Sequence, residues 1–198
     1  MSNIDDRYRA ILKARQWVDS DPVLLDTETT GLRSDAEICE IAVVDLHGQT
    51  LIDKLVLPTR SIPADATNIH GITNDDVRDA DTLPTLWPEL AGLLRGRAVV
   101  IYNADYDTRL LRQSAIASGM ESAWNAFREA SEGDWRCLMK LFAEFYGERS
   151  GSYGDYRWQR LDVAARHFGI AIPPDQHRAR ADADLARQVL HAMASTMV

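Results

Sequence analysis

An apolar run that stops on two acids constrains this chain most: Val23-Leu24-Leu25 is followed at once by Asp26-Thr27-Glu28, and Gly31 comes soon after. That order predicts a buried strand running into a loop. Strand side chains repeat every two residues, so Asp26 and Glu28 share one face, roughly 6.7 Å apart along the backbone. Among thirty acidic residues a D-x-E is expected about once by chance, so the spacing alone decides nothing. Position carries more weight, because an acid closing an apolar strand pays desolvation unless something compensates it, although most acids in soluble chains are simply solvated. Hard divalent ions take oxygen ligands, and a pair of them about 3.5 to 4 Å apart clamps both oxygens of an in-line displacement.

The pattern recurs where Ala98-Val99-Val100-Ile101 predicts a second buried strand opening into Tyr102-Asn103-Ala104-Asp105-Tyr106-Asp107. A helix follows, with Leu110, Leu111, Ser114, Ala115 and Ser118 at three-and-four spacing. Asp107 lies on the face that continues through Leu110 and Leu111 into the core, whereas Asp105 suits a helix cap. Residues 179 to 194 predict a further amphipathic helix with Leu185, Ala186, Val189 and Met193 in its apolar stripe. Asp182 extends that stripe, while Asp184 points with Arg180, Gln188 and His191 toward water. A buried carboxylate there needs an arginine or a metal. His177 follows Pro173-Pro174 in a loop or frayed helix start. An imidazole changes charge near neutral pH and so suits a base beside metals, although a lone loop histidine is more often only solvated.

Three motifs occur in order: D-T-E-T-T-G-L at 26 to 32, Y-N-A-D-Y-D-T-R-L-L at 102 to 111 and H-R-A-R-A-D-A at 177 to 183. E-I-C-E-I-A-V-V at 37 to 44, N-I-H-G-I-T at 68 to 73 and L-D-V-A-A-R-H-F-G-I at 161 to 170 accompany them. In these motifs the chain resembles the DEDDh 3'-5' exonucleases, the group that includes the proofreading epsilon subunit of DNA polymerase III, ribonuclease T and oligoribonuclease. The resemblance spans roughly residues 22 to 192.

That resemblance implies an α/β, ribonuclease H-like exonuclease fold with a central mixed sheet flanked by helices. It implies that Asp26, Glu28, Asp107 and Asp182 hold two divalent metal ions, Mg2+ or Mn2+, with His177 as general base. One ion would sit on Asp26, Glu28 and Asp182, the other mainly on Asp26 with Asp107 contributing directly or through water. Leu32 would be an apolar wedge beneath the terminal base, although by itself it is only the first apolar residue after a turn and suits the core. His70 would line the same pocket, and Thr29 and Asn103 complete the substrate side; the Asn103 side chain also suits holding the strand-to-helix turn. Tyr102 departs from the family, where histidine usually precedes N-A, but that position is not a metal ligand.

The implied activity is metal-dependent release of nucleoside 5'-monophosphates from the 3' end of DNA, single-stranded or frayed. RNA or oligoribonucleotide 3' exonuclease activity is the alternative, and a non-catalytic 3'-end-binding or polymerase-associated proofreading subunit a second. A DNA polymerase is a candidate partner, and relatives include monomers and homodimers. No clamp-binding peptide or long tail follows the last helix, which favours a free-standing enzyme.

The length of 198 residues with 45% hydrophobic content predicts a single exonuclease domain over residues 1–198. Residues 1–20 read as an accessory helix marked by Ile4, Tyr8, Ile11, Leu12 and Trp17, set off by Asp21-Pro22 and packing outside the family core. Strands are expected near 22 to 27, 38 to 45, 50 to 57 and 98 to 102, with His47-Gly48 turning a hairpin. Helices are expected near 85 to 95, 104 to 118, 121 to 131, 135 to 146, 160 to 168 and 179 to 194.

A net charge of -8 argues against a surface that coats nucleic acid broadly, because counterion release needs many Lys and Arg. It is compatible with gripping a strand end. Arg149, Tyr153, Tyr156, Arg157, Trp158 and Arg160 form a segment suited to stacking bases and pairing phosphates, with an ordinary surface loop as the competing interpretation. The chain shows no signal-peptide pattern and no membrane-length apolar stretch, which with isolated Cys39 and Cys137 predicts a cytoplasmic protein with buried thiols and no zinc site.

Overall fold

The computed structural model describes residues 3–130, 134–150 and 156–197. Tyr153, the end of the helix expected to reach residue 131, and the side chain of Ile4 lie outside the described residues. In chain order the elements are α1 (Asn3–Asp19), β1 (Val23–Thr29), β2 (Ile38–Asp45), β3 (Thr50–Leu57), α2 (Ala64–His70), β4 (Asp81–Thr82) and α3 (Leu83–Leu94). They continue with β5 (Val99–Ile101), α4 (Ala104–Ala117), α5 (Glu121–Ala130), β6 (Trp135–Cys137), α6 (Leu138–Tyr146), α7 (Leu161–His167) and α8 (Ala179–Ser195).

The strands form a mixed sheet in the order β4-β3-β2-β1-β5-β6. β1 pairs antiparallel with β2 and parallel with β5, so the carboxyl ends of β1 and β5 emerge side by side. The β2–β3 hairpin turns on Asp45, whose carboxylate accepts the His47 and Gln49 backbone N–H groups at 2.9 and 2.8 Å. Gly48 supplies the positive φ of 84° that this turn needs.

Strand alternation sends successive apolar residues to opposite layers. Leu24, Val44 and Val100 pack with α1, α6, α7 and α8 on one side. Val23, Leu25, Val43, Val99 and Ile101 pack with α3, α4 and α5 on the other. By the same alternation Asp26 and Glu28 fall on the α8 side.

Three expectations change. α1 does not lie outside the core: Ala10, Ile11, Ala14 and Trp17 are buried in one apolar cluster with residues of α6 and α8. The two alanines leave room for the neighbouring helices, which a merely appended helix would not require. Trp135–Cys137, expected as the start of a helix, is instead a parallel strand on β5, satisfying backbone groups that the β5 edge would otherwise leave unpaired. The short elements α2 and β4 were not expected at all. Cys39 is buried and Cys137 only half-buried, both as free thiols. Among the described residues no helix is long and apolar enough to cross a membrane.

Ile11→Ala should cost about 2 to 5 kcal/mol of unfolding free energy, as a cavity-forming core substitution does. Leu12→Ala, at a partly exposed position on the same helix, should stay within about 0.5 kcal/mol of wild type. Urea unfolding of the two variants measures the difference, and equal small effects would return α1 to the outside of the core.

Candidate active site

Each acid is delivered by a different element. β1 carries Asp26 and Glu28, and α4 begins immediately beyond β5, so its first turn brings Asp107 beside β1. There Asp107 is buried and its Oδ1 accepts the Thr27 hydroxyl at 2.7 Å. α8 packs on β1 and β2 and supplies Asp182. Carboxylate oxygens of Asp26, Glu28 and Asp182 all lie within 4.8 Å of one another. Asp107 stands outside that trio, with Asp26 close enough to be influenced by its charge.

Burial raises the pKa of all four acids, and for Asp26 and Glu28 repulsion from the neighbouring carboxylates adds to it. Asp26 is pushed well up by desolvation and then by Asp107, Glu28 and Asp182. Glu28 is pushed up to about 9 by desolvation, with Asp182 and Glu40 adding to it. Desolvation raises Asp107 to about 7, against the pull of its Thr27 hydrogen bond. Asp182 is raised for the same reason, opposed by the imidazole and backbone N–H of His177. Two unit charges 4 Å apart repel by about 4 kcal/mol at an effective dielectric of 20, so such a cluster is stable only when protonated or when a cation joins it.

The donor set fits a hard cation. Asp182 Oδ1 is buried without a hydrogen-bond partner among the described residues. The other oxygen, Asp182 Oδ2, faces His177 Nδ1 at 3.9 Å. No arginine among the described residues pairs with Asp182, so its buried oxygen is available to a metal ion. His177 is partly exposed and adopts a left-handed backbone with φ 69°, uncommon for a residue with a side chain. Asp184 is less open than expected, since it binds Arg187 and Gln188 at 2.7 and 2.9 Å. His191 likewise contacts the Leu46 carbonyl at 3.0 Å.

Beside the acids lies a cavity of about 500 Å3 lined by Glu28, Thr29, Leu32, His70, Asn103 and Tyr106, among others. Leu32 is 78% exposed, so it is not a core residue. His70 is buried, and its Nδ1 accepts the Ile72 N–H at 3.0 Å, which leaves Nε2 to donate to the Thr29 carbonyl at 3.2 Å. Both ring nitrogens are thus engaged, Nδ1 with the loop that follows α2 and Nε2 with the end of β1. Asn103 makes no side-chain cap hydrogen bond to α4, contrary to the turn-holding role weighed for it; its backbone carbonyl receives the Tyr106 N–H at 2.9 Å. Asp105 does not cap the helix either and pairs with Lys140 at 2.6 Å. Tyr106 was missed as a site residue, and its hydroxyl meets Thr29 Oγ1 at 2.9 Å and the Gly31 carbonyl at 3.0 Å. Its place before Asp107 in the second motif was the available signal.

A sequence profile described as RNase T, exonuclease, matches residues 23–190. The chain belongs to the DEDDh 3'-5' exonuclease family. It is 41% identical over 182 residues, 92% of each chain, to an uncharacterised exonuclease of Escherichia phage 186. A DNA polymerase III subunit epsilon-like protein of Rhodobacter capsulatus is 36% identical over 168 residues, 81% of this chain but only 22% of that one. Exonuclease X, solved in complex with 5' overhanging duplex DNA, superposes with a TM-score of 0.61 at 27% identity, covering 88% of this chain and 92% of the other. The protein is therefore an exonuclease of a divalent-metal-dependent family with a ribonuclease H-like fold.

One structural support of this exonuclease was not singled out from the sequence. Glu40 faces Glu28 across the β1–β2 ladder and is 2% exposed. Its carboxylate takes a forked pair of bonds from Arg178 and accepts the Ala179 N–H at 2.8 Å, capping the start of α8. The pair ties the residue after His177, and the helix bearing Asp182, to the strand beside Glu28. The motif E-I-C-E held the signal, since the second acid sits inside an apolar strand.

Replacing Glu40 by Gln should therefore lower kcat roughly 10- to 100-fold by loosening α8, with a smaller change in KM, because small displacements of reacting groups cost that much. Steady-state kinetics on an oligonucleotide checks it, and a KM-only effect would refute the brace. The raised carboxylates also fix the sign of a pH effect. Protons bind the folded acids more tightly than the unfolded ones, so their stabilisation is full below about 4.5, the ordinary glutamate value, and is lost as pH rises toward about 9. In chelator the melting temperature should fall across that window, and saturating Mg2+ or Mn2+ should raise it and remove the decline. Melting curves that ignore both pH and metal would contradict the site.

Proposed function

We propose that the protein removes nucleoside 5'-monophosphates from the 3' end of DNA, at single-stranded or frayed termini, with two divalent ions and a histidine base. The observation that carries this reading is the trio of carboxylates converging around the unpartnered Asp182 oxygen, with His177 alongside. Asp26, Glu28 and Asp182 would hold one ion, Mg2+ or Mn2+, and Asp26 with Asp107 the second. Two such ions supply four positive charges against four carboxylates and so let an anionic phosphate enter.

His177 accepts the proton of the attacking water, and the Asp182 charge at 3.9 Å steadies the imidazolium that results. The water oxygen bonds to phosphorus in line as the bond to the 3' oxygen breaks, leaving a 3' hydroxyl on the shortened strand. Leu32 lies beneath the terminal base, and Thr29, Asn103 and Tyr106 wall the cavity, with His70 fixing its rear. DNA is favoured because Exonuclease X, at 27% identity, is solved with duplex DNA and another relative is named for the epsilon subunit of a DNA polymerase.

The test is product analysis with 5'-labelled DNA and RNA oligomers of matched sequence in Mg2+ or Mn2+. Stepwise shortening of DNA with mononucleotide release is expected, and faster cleavage of RNA would overturn the substrate assignment. His177→Ala should lose about 10²- to 10⁴-fold in rate while retaining metal-induced stabilisation. Asp182→Asn should abolish cleavage. Near wild-type rates for either variant would remove that residue from its role.

A further inference from the structure

Trp158 takes no part in the cleavage step, yet its setting is built. The backbone around it is held on both sides: Arg157 N–H donates to the Glu148 carbonyl at 2.8 Å, and the Tyr102 hydroxyl donates to the Gln159 carbonyl at 2.9 Å. Gln159 Nε2 donates in turn to Glu148 Oε2 at 2.9 Å. Further along, Tyr156 and Arg149 are engaged with Asp6 of α1 and serve as buttress. The indole between these fixed points is nevertheless 61% exposed. An indole shown to water from a pinned segment offers a π-face on which a nucleobase can stack.

Trp158 lines two cavities. One, of about 360 Å3, also contains Asn103, Arg160, His177 and Asp182. The other, of about 490 Å3, contains Lys140 and Arg157. The indole therefore stands where a path leaving the acids passes into a recess that offers Lys140 and Arg157 beside a single acid, Glu144. Lys140, Arg157 and Arg160 are ion-paired to Asp105, Glu148 and Asp162 at 2.6, 2.8 and 3.1 Å, all with well-exposed cation ends. The Lys140 and Arg157 pairs, exposed on both sides, are worth about 0 to 1 kcal/mol, so a phosphate can displace the carboxylate, whereas the Arg160 pair, whose Asp162 is largely buried, is held more firmly. Two of the displaced acids keep a partner: Glu148 retains Gln159, and Asp162 retains Arg166 at 2.7 Å. In a chain of net charge -8, three cations around one exposed indole are a local feature.

We propose that Trp158, with Lys140, Arg157 and Arg160, forms a second nucleic-acid subsite that binds the single-stranded chain on the 5' side of the scissile phosphodiester. One base stacks on the indole and the adjoining phosphates meet the cations. The occupant is a single strand, because stacking needs a free base face and internal pairs of a duplex cover theirs. The inference rests on the exonuclease reading of the neighbouring acids. It assigns Tyr102, the departure from the family's usual histidine, to positioning the platform through Gln159.

The test is binding of 5'-fluorescein single-stranded oligonucleotides of two to eight nucleotides, followed by anisotropy in the full-length protein, with cleavage scored in parallel. Affinity should rise with length in wild type. In Trp158→Ala the rise should shrink by roughly five- to a hundredfold in Kd at eight nucleotides relative to two, the range of one base–aromatic stack. Trp158→Phe should restore most of it, and Arg157→Ala should reduce the salt slope by about one. A Trp158→Ala protein with the wild-type dependence on length, or with the same loss at every length, would overturn the subsite while cleavage by wild type continued. Absence of mononucleotide release by wild type would instead remove the exonuclease reading beneath it.

Discussion

Burial of like charges at the carboxyl end of a central strand is the constraint on which the rest of this structure depends. Asp26 and Glu28 close a strand whose preceding residues are fully enclosed, and Asp107 and Asp182 are brought against them from two helices. Burial disfavours each of these acids as an anion in that place, and raises their pKa values. Such an arrangement lowers the stability of the fold and is retained only where a cation joins it. The apolar layers on both faces of the sheet, including α1, supply the stability that offsets it.

Geometry then decides what the charges can do. The parallel pairing of β1 and β5 sets the starts of the two motif loops side by side, and the Glu40–Arg178 pair fixes the third motif to the same end of the sheet. That pair adds a direct tie between the segment holding His177 and the strand beside Glu28. The pinned segment around Trp158 lines the same cavity as His177 and Asp182, so the proposed anchoring subsite borders the proposed catalytic group.

Much of this was legible in the sequence because periodicity and burial are local. Asp107 and Asp182 could be separated from Asp105 and Asp184 by helical spacing alone, and the structure confirms that the first two face inward. The strands at 38–45 and 50–57 were bounded by clear turn chemistry at His47-Gly48. What escaped depended on partners distant in sequence. Trp135–Cys137 is a strand only because β5 offers it an edge, and its local pattern continues smoothly into α6. Glu40 looked like one more acid in a motif until Arg178, far along the chain, was seen to meet it. The packing of α1 into the core likewise rests on α6 and α8 leaving space for its alanines.

The most direct measurement is the anomalous scattering of manganese in crystals of the wild-type protein. The account predicts manganese bonded to oxygens of Asp26, Glu28 and Asp182, including the now unpartnered Asp182 Oδ1, with a second ion reaching Asp26 on the Asp107 side. Manganese bound elsewhere, with Asp182 Oδ1 still bare at saturating metal, would contradict it.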